Sequence, residues 1–200
     1  RAVQTKQTGV VWSGGSNQKV SIVSGRAVID AFGRNIAAYY PMTESYGNIG
    51  TYNHATGDLQ AKTEYDTHDR TTSVTLADGS MTRTAYSIGS HDGEPMLQTT
   101  VTDALGRHAE SYTDAKGRNR ETVQHARGED ITVKYSYDPV GQVMTVQHPN
   151  GRETKYAYDL LGRKLMVNHP DAGETNMTYD AAGNLLTKLT AELRKSISDK

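Results

Sequence analysis

The side chains in this 200-residue chain most able to do chemistry are carboxylates at regular spacing. Asp138, Asp159 and Asp180 fall 21 residues apart, each with Gly three positions on: Gly141, Gly162 and Gly183. Asp30, Asp103 and Asp114 head looser copies, and Asp66 heads one in which Asp69 takes the Gly place. Carboxylates in such a row could hold calcium or work in pairs as general acid and base. The seven His form a second set (His54, His68, His91, His108, His125, His148 and His169), but they show no His-Glu-x-x-His or similar ligand spacing. His148 and His169 hold equivalent positions just before Pro and read as turn residues. A Gly-x-Ser-x-Gly elbow is absent, and with no cysteine there is no thiolate nucleophile, disulfide framework or thiolate metal site. Gly14-Gly15-Ser16 is too short and too polar in context for a phosphate loop and reads as a flexible loop.

The positions these side chains occupy argue for structure instead. Asp at the head of a type I turn accepts a hydrogen bond from the backbone N–H two residues on. The two variable residues take right-handed conformations, and Gly then supplies the positive φ of a G1-bulge hairpin. Pro139 fits the first variable position because its fixed φ matches that turn. Asp69 can replace Gly because Asp tolerates the left-handed region. Each Asp is thus engaged in a turn, and the glycine-rich nonapeptide of calcium β-rolls is missing. No catalytic residue, metal ligand or cofactor site is assigned on this reading. The Arg residues after the turns (Arg34, Arg70, Arg107, Arg118 and Arg163) are expected to form a solvated row paired with acidic neighbours. A surface for an anionic glycan or a partner is the sharper reading.

A second kind of turn lies half a period away: His148-Pro149-Asn150-Gly151, His169-Pro170-Asp171-Ala172-Gly173 and, earlier, Ala77-Asp78-Gly79. Between the turns, Thr132–Tyr137 and Glu153–Tyr158 alternate polar residues with apolar or aromatic ones, the period of a half-buried strand. Tyr135 and Tyr156, like Tyr137 and Tyr158, are 21 apart and should align across neighbouring hairpins, as sheet core or as a sugar-stacking platform. A fixed period near 20 residues marks a repeat architecture. The expected fold is therefore all-β: an antiparallel array that grows hairpin by hairpin. Residues 1–27 form a divergent β segment, with a strand, a Gly/Ser loop at Gly14–Asn17 and a second strand at Lys19–Val23. Residues 28–200 form the array, in which Tyr52–Gly57 is a longer variant of the turn phrase. The stretch from Leu189 to Lys200 reads as the end of a strand with no closing turn or cap, although Ala191–Lys195 are good helix formers.

Hydrophobic residues make up 35% of the chain, with 12 Tyr against one Phe and one Trp. Counted with Gly and without Tyr, the apolar share stays below the roughly 45–50% of an ordinary domain. The core should be thin. A net charge of −1 gives no basic footprint for nucleic acid. No apolar run approaches the ~20 residues of a membrane-spanning helix, and no signal peptide is visible. The chain opens on Arg, and both ends read as cuts in a longer polypeptide.

The phrase Tyr-Asp-x-x-Gly-[Arg/Asn] at this period, with Tyr- and Thr-rich strands between, resembles the YD repeat of the Rhs (rearrangement hot spot) family. That family includes bacterial Rhs and wall-associated proteins, the B and C components of insecticidal toxin complexes, and the teneurins. The resemblance is most specific from Lys134 to Leu189 and looser from Val28 to Val123. It implies a long sheet that spirals into a shell around a C-terminal toxin or other cargo, non-catalytic in itself, in a secreted or cell-surface protein. Its partners would be flanking repeats and cargo of the same polypeptide. The alternative it implies is an adhesion surface that binds carbohydrate or a receptor. The family's shell core ends in Asp-Pro-x-Gly-Leu-x-Gly-Gly, associated with self-cleavage. Asp138-Pro139-Val140-Gly141 matches its first half, Gln142-Val143 departs from it, and the segment reads as an ordinary repeat turn.

Overall fold

The turn expected from the sequence recurs along the chain with nearly fixed geometry. In the computed structural model, which describes residues 4–53, 59–91, 93–126 and 128–198, Asp138 N–H donates to Gln142 O at 2.9 Å and Gly141 N–H to Asp138 O at 3.1 Å. The same pair of bonds closes the turns headed by Asp30, Asp66, Asp114, Asp159 and Asp180. Gly141, Gly162 and Gly183 have φ of 96°, 81° and 91°. Asp69 has φ of 61° and is the one non-glycine with positive φ among the described residues, as its place in the repeat requires. The His54–Gly57 part of the longer variant turn lies outside the described residues.

The chain divides into two compact units, residues 1–85 with 101–106, and 86–100 with 107–200. The first contains β1 (Thr5–Ser13), β2 (Ser16–Ser24), β3 (Ala27–Ile29), β4 (Asn35–Tyr39), β5 (Met42–Ser45), β6 (Gln60–Tyr65) and β7 (Thr71–Thr75). β8 (Met81–His91) and β9 (Glu94–Thr102) have residues in both units. The second contains β10 (His108–Thr113), β11 (Asn119–Ala126), β12 (Glu129–Tyr137), β13 (Val143–Gln147), β14 (Glu153–Tyr158), β15 (Lys164–His169), β16 (Gly173–Tyr179), β17 (Leu185–Leu189) and one helix, α1 (Ala191–Ser198).

From β10 to β17 each strand pairs antiparallel with the next. The 21-residue period is also the period of the register: Tyr135 pairs with Val146, and Tyr156 with Val167. Before each Asp turn the register slips by one residue, at Ser136/Tyr137, Ala157/Tyr158 and Thr178/Tyr179. The slip is the bulge that accompanies a left-handed Gly and bends the strand locally. The meander is interrupted in the first unit, where β5 leaves the main array and joins β1 and β2 in a three-stranded sheet, while β4 pairs with β6.

Two local expectations are corrected. The Gly/Ser loop is a tight hairpin: Gly14 and Gly15 both take positive φ, Ser13 pairs with Ser16, and Ser16-Asn17 already belong to β2. Two central residues with positive φ match the twist of the flanking strands. The final stretch is α1, not a strand, and it is capped: Thr190 Oγ1 accepts from Leu193 N–H at 3.2 Å, and Thr190 O from Arg194 N–H at 3.0 Å. The helix packs closely over β16, where a Cβ on Gly173 would come within 2.7 Å of Ala191 Cβ, and Arg194 bonds Glu174 Oε1 at 3.3 Å. This packing favours the helix that the Ala/Leu/Lys composition allows.

The core is thin, as the composition implies. Among the described residues, the buried apolar side chains are Val23, Ala37, Met96 and Val123, and the buried polar ones include Ser21, Ser73, Glu121 and Thr154. With so little apolar burial available, the contacts between successive turns gain weight in holding the array together.

Candidate functional site

Those contacts converge where the sequence placed its repeated Asp, Arg and Tyr. Asp114 Oδ1 accepts from Lys116 N–H at 2.9 Å and Arg118 N–H at 3.0 Å, while Arg118 Nε returns to Asp114 Oδ2 at 2.8 Å. A turn that satisfies the first carboxylate oxygen with backbone leaves the second free for the guanidinium of its own Arg. Asp30–Arg34, Asp66–Arg70 and Asp159–Arg163 repeat the arrangement, with Nε to Oδ2 distances of 2.7, 2.7 and 2.6 Å. At Asp180 the shorter Asn184 does the same through Nδ2 at 2.9 Å.

The Arg then reaches into the next turn along the same side of the sheet. Arg118 Nη1 donates to Asp138 O at 3.3 Å, and its guanidinium lies 5.1 Å from the Tyr137 ring centroid. Tyr137 hydroxyl donates back to Asn119 O at 2.7 Å. Arg163 repeats this with Asp180 O (2.9 Å), the Tyr179 ring (5.0 Å) and a bond from Tyr179 hydroxyl to Lys164 O (2.9 Å). In the first unit Arg34 does so with Asp66 O, the Tyr65 ring and Asn35 O. There Asp69, standing at the Gly position, adds a second carboxylate at 2.8 Å. Each joint combines a charge-assisted fork, a cation–π stack and a phenol–carbonyl bond. At Tyr65, Tyr137 and Tyr179 the Tyr that precedes Asp is the ring on which the previous Arg rests.

Arg34, Arg118 and Arg163 are therefore half-buried in the joints, whereas Arg107 is exposed. Arg118 keeps 21% of its side-chain exposure and its Asp114 partner 14%. Burial of these carboxylates works against ionisation, but the bonds from Arg backbone, from guanidinium and from the amide two residues on outweigh it. Asp30, Asp114 and Asp159 titrate below the ordinary 3.8, and Asp66 at about 2. Side-chain and backbone bonds from Asn184 lower Asp180 likewise, against its burial.

The other sets are placed as follows. No group of three or more His, Asp or Glu side chains among the described residues is positioned to share a metal ion. His148 and His169 do meet, ring centroids 6.0 Å apart, in a cleft of about 430 Å³ lined by Pro149, Pro170 and the Arg152–Asp171 ion pair. His148 Nε2 lies 2.9 Å from Thr154 Oγ1, and His169 Nδ1 accepts from the N–H groups of Asp171 and Ala172, which makes both turn residues. Sequence spacing gave no hint of the stacked pair His108–His125, at 4.3 Å, with His125 Nδ1 2.6 Å from Asp130 Oδ1. Strand register alone brings them together. The Arg-on-Tyr stacking was also missed, although Tyr just before Asp66, Asp138, Asp159 and Asp180 was its sequence signal.

A hairpin-repeat array held by such joints defines the class. The family model of the teneurin YD-shell matches residues 34–192, most of the chain, and the chain belongs to that family. Several solved structures share its fold. The crystal structure of TcdB2-TccC3 aligns with 94% of this chain at 18% identity and a TM-score of 0.68. The same pair without the hypervariable C-terminal region aligns with 96% at 18% identity and 0.70. The Tc holotoxin pore of Photorhabdus luminescens, carrying a mutation in TccC3, aligns with 94% at 17% identity and 0.69. In each case the chain spans 11% of the length of the structure it matches. No curated protein matches the sequence.

Proposed function

We propose that this YD-shell segment acts mechanically, as a stretch of wall in a larger shell that encloses a C-terminal toxin or other cargo of its own polypeptide. The supporting observation is the repeated Asp–Arg–Tyr joint, which spends the chain's most reactive-looking side chains on fixing one hairpin to the next. On this reading the segment is non-catalytic, and its partners are the flanking repeats and the enclosed cargo. Residues 1–27 form a leading β segment, residues 28–200 the array, and the parent is secreted or displayed at the cell surface. A wall needs register more than it needs a pocket, and the interlocked turns at Arg34, Arg118 and Arg163 supply register.

An adhesion surface for carbohydrate or a receptor has less support. The Tyr and Arg rows that would stack on sugars or bind anionic glycans face each other in three joints instead. Electron microscopy of the polypeptide that carries this segment tests the choice. A hollow particle with internal density is the expected result. A solid or extended particle would sink enclosure and make binding the leading idea.

A further inference from the structure

One position in the second unit breaks the pattern of joints. The turn headed by Asp138 ends in Gln142 where Asp114 and Asp159 turns end in Arg118 and Arg163. Gln142 N–H still bonds Asp138 Oδ1 at 2.8 Å, which keeps the turn closed. Its side-chain amide makes no bond among the described residues and points instead toward Gly162, where a Cβ would lie 2.8 Å from Nε2. Three groups that the neighbouring joints use are therefore left over. Among the described residues, Asp138 Oδ2 receives no guanidinium, the Tyr158 ring carries no cation, and Asp159 O accepts only the Gly162 N–H of its own turn, at 3.0 Å. Among the described residues, the Tyr158 hydroxyl likewise makes no bond of the kind Tyr137 and Tyr179 make to Asn119 and Lys164. Burial, Tyr156 and the Asp138 carboxylate each raise the pKa of Tyr158. At the filled joint burial also raises the pKa of Tyr137, but Arg118 there opposes the rise.

We infer that Asp138, Tyr158 and the carbonyl of Asp159 form a recognition site for a guanidinium, filled in trans by an arginine side chain of a partner peptide. The structure contains the template for such a complex twice in the same unit. At Arg118 and Arg163 one guanidinium meets the same three groups, at 2.6–2.8 Å to the carboxylate, 2.9–3.3 Å to the carbonyl and 5.0–5.1 Å to the ring. A planar fork that stacks on an aromatic ring while binding a carboxylate is arginine chemistry, and a lysine ammonium reproduces only its charge. Asp138 and Tyr158 are half-buried, as Asp114 and Tyr137 are in the filled joint. The half-buried Gln142 amide has to rotate aside, a side-chain rotamer change at a turn.

The test is backbone-amide NMR of the 200-residue chain titrated with N-acetyl-arginine methylamide and, separately, with the lysine analogue. Arginine should shift the amides of Gln142, Asp159 and Gly162 saturably, with millimolar affinity fitting a single charged contact, while lysine binds at least several-fold more weakly. Gln142→Arg fills the site from within the chain and should abolish the shifts while leaving the fold intact. Gln142→Ala, which clears the approach, should keep or strengthen them. No shift up to about 10 mM arginine, equal shifts with lysine, or undiminished shifts in Gln142→Arg would each overturn the assignment.

Discussion

The guanidinium of Arg118 lies 5.1 Å from the ring centroid of Tyr137, so a residue at the end of one turn rests on a residue at the start of the next. Because Arg118 is also forked onto Asp114, the stack ties the geometry of two turns together. Loss of either partner should be felt by both.

Replacing Tyr137 with Phe removes the bond to Asn119 O and keeps the ring. The expected loss is about 1 kcal/mol, that of one partly buried hydrogen bond. Arg118→Lys keeps the charge but loses the fork and the planar stack. Urea unfolding of both single variants and the double variant should show coupling, because the two residues share one joint. Strict additivity would mean that the Tyr137–Asn119 bond does not depend on the Arg118 fork.

Gly141→Val and Gly162→Val should each destabilise by more than ~1 kcal/mol, since a β-branched residue resists φ near 96° and 81°. The Gln142 amide that a side chain at Gly162 would meet can rotate aside, so the backbone sets the cost at both positions. Equal midpoints for both variants and the parent chain in chemical unfolding would refute the turn geometry.

The lowered carboxylates give the array an acid limit. A group whose pKa falls on folding stabilises the folded state above its unfolded pKa and loses that contribution as pH drops through the folded one. For Asp66 the window runs from the ordinary 3.8 down to about 2. Asp30, Asp114, Asp159 and Asp180 shift in the same direction. The unfolding midpoint should therefore fall steadily between about pH 4 and about pH 2. Asp66→Asn should flatten that slope, and an unchanged slope would show that Asp66 is not held as described.

Gln142→Arg should stabilise the chain by roughly 0.5–1 kcal/mol, the worth of a cation–π contact at a partly exposed site. Amide hydrogen exchange in β13 and β14 should slow in the variant, since the new joint would tie those hairpins together. Unchanged stability and exchange would mean that the Asp138 turn is already fixed by other means.

Much of the fold was legible because turn chemistry is local. Asp138, Pro139 and Gly141 specify their turn from within five residues, and the 21-residue spacing then fixes strand length and the alignment of Tyr135 with Tyr156. The departures are equally instructive. Gly14-Gly15 forms a tight hairpin because both residues can take positive φ, a property legible in the composition but read as looseness. The segment after Leu189 has helix-forming residues, and its choice of helix came with the contact of Ala191 on Gly173 and of Arg194 on Glu174.

By itself the sequence determined an all-β repeat array, its turn positions and the backbone role of each repeated Asp, because these follow from φ preferences and short-range hydrogen bonds. Only the tertiary structure decided what the Arg and Tyr rows do. Each Arg and its Tyr partner stand well apart in the chain, as Arg34 does from Tyr65 and Arg163 from Tyr179, and meet only once the strand register places turn beside turn. The same register set His108 against His125, while Gln142, standing where the neighbouring turns have Arg, leaves Asp138 and Tyr158 without a guanidinium.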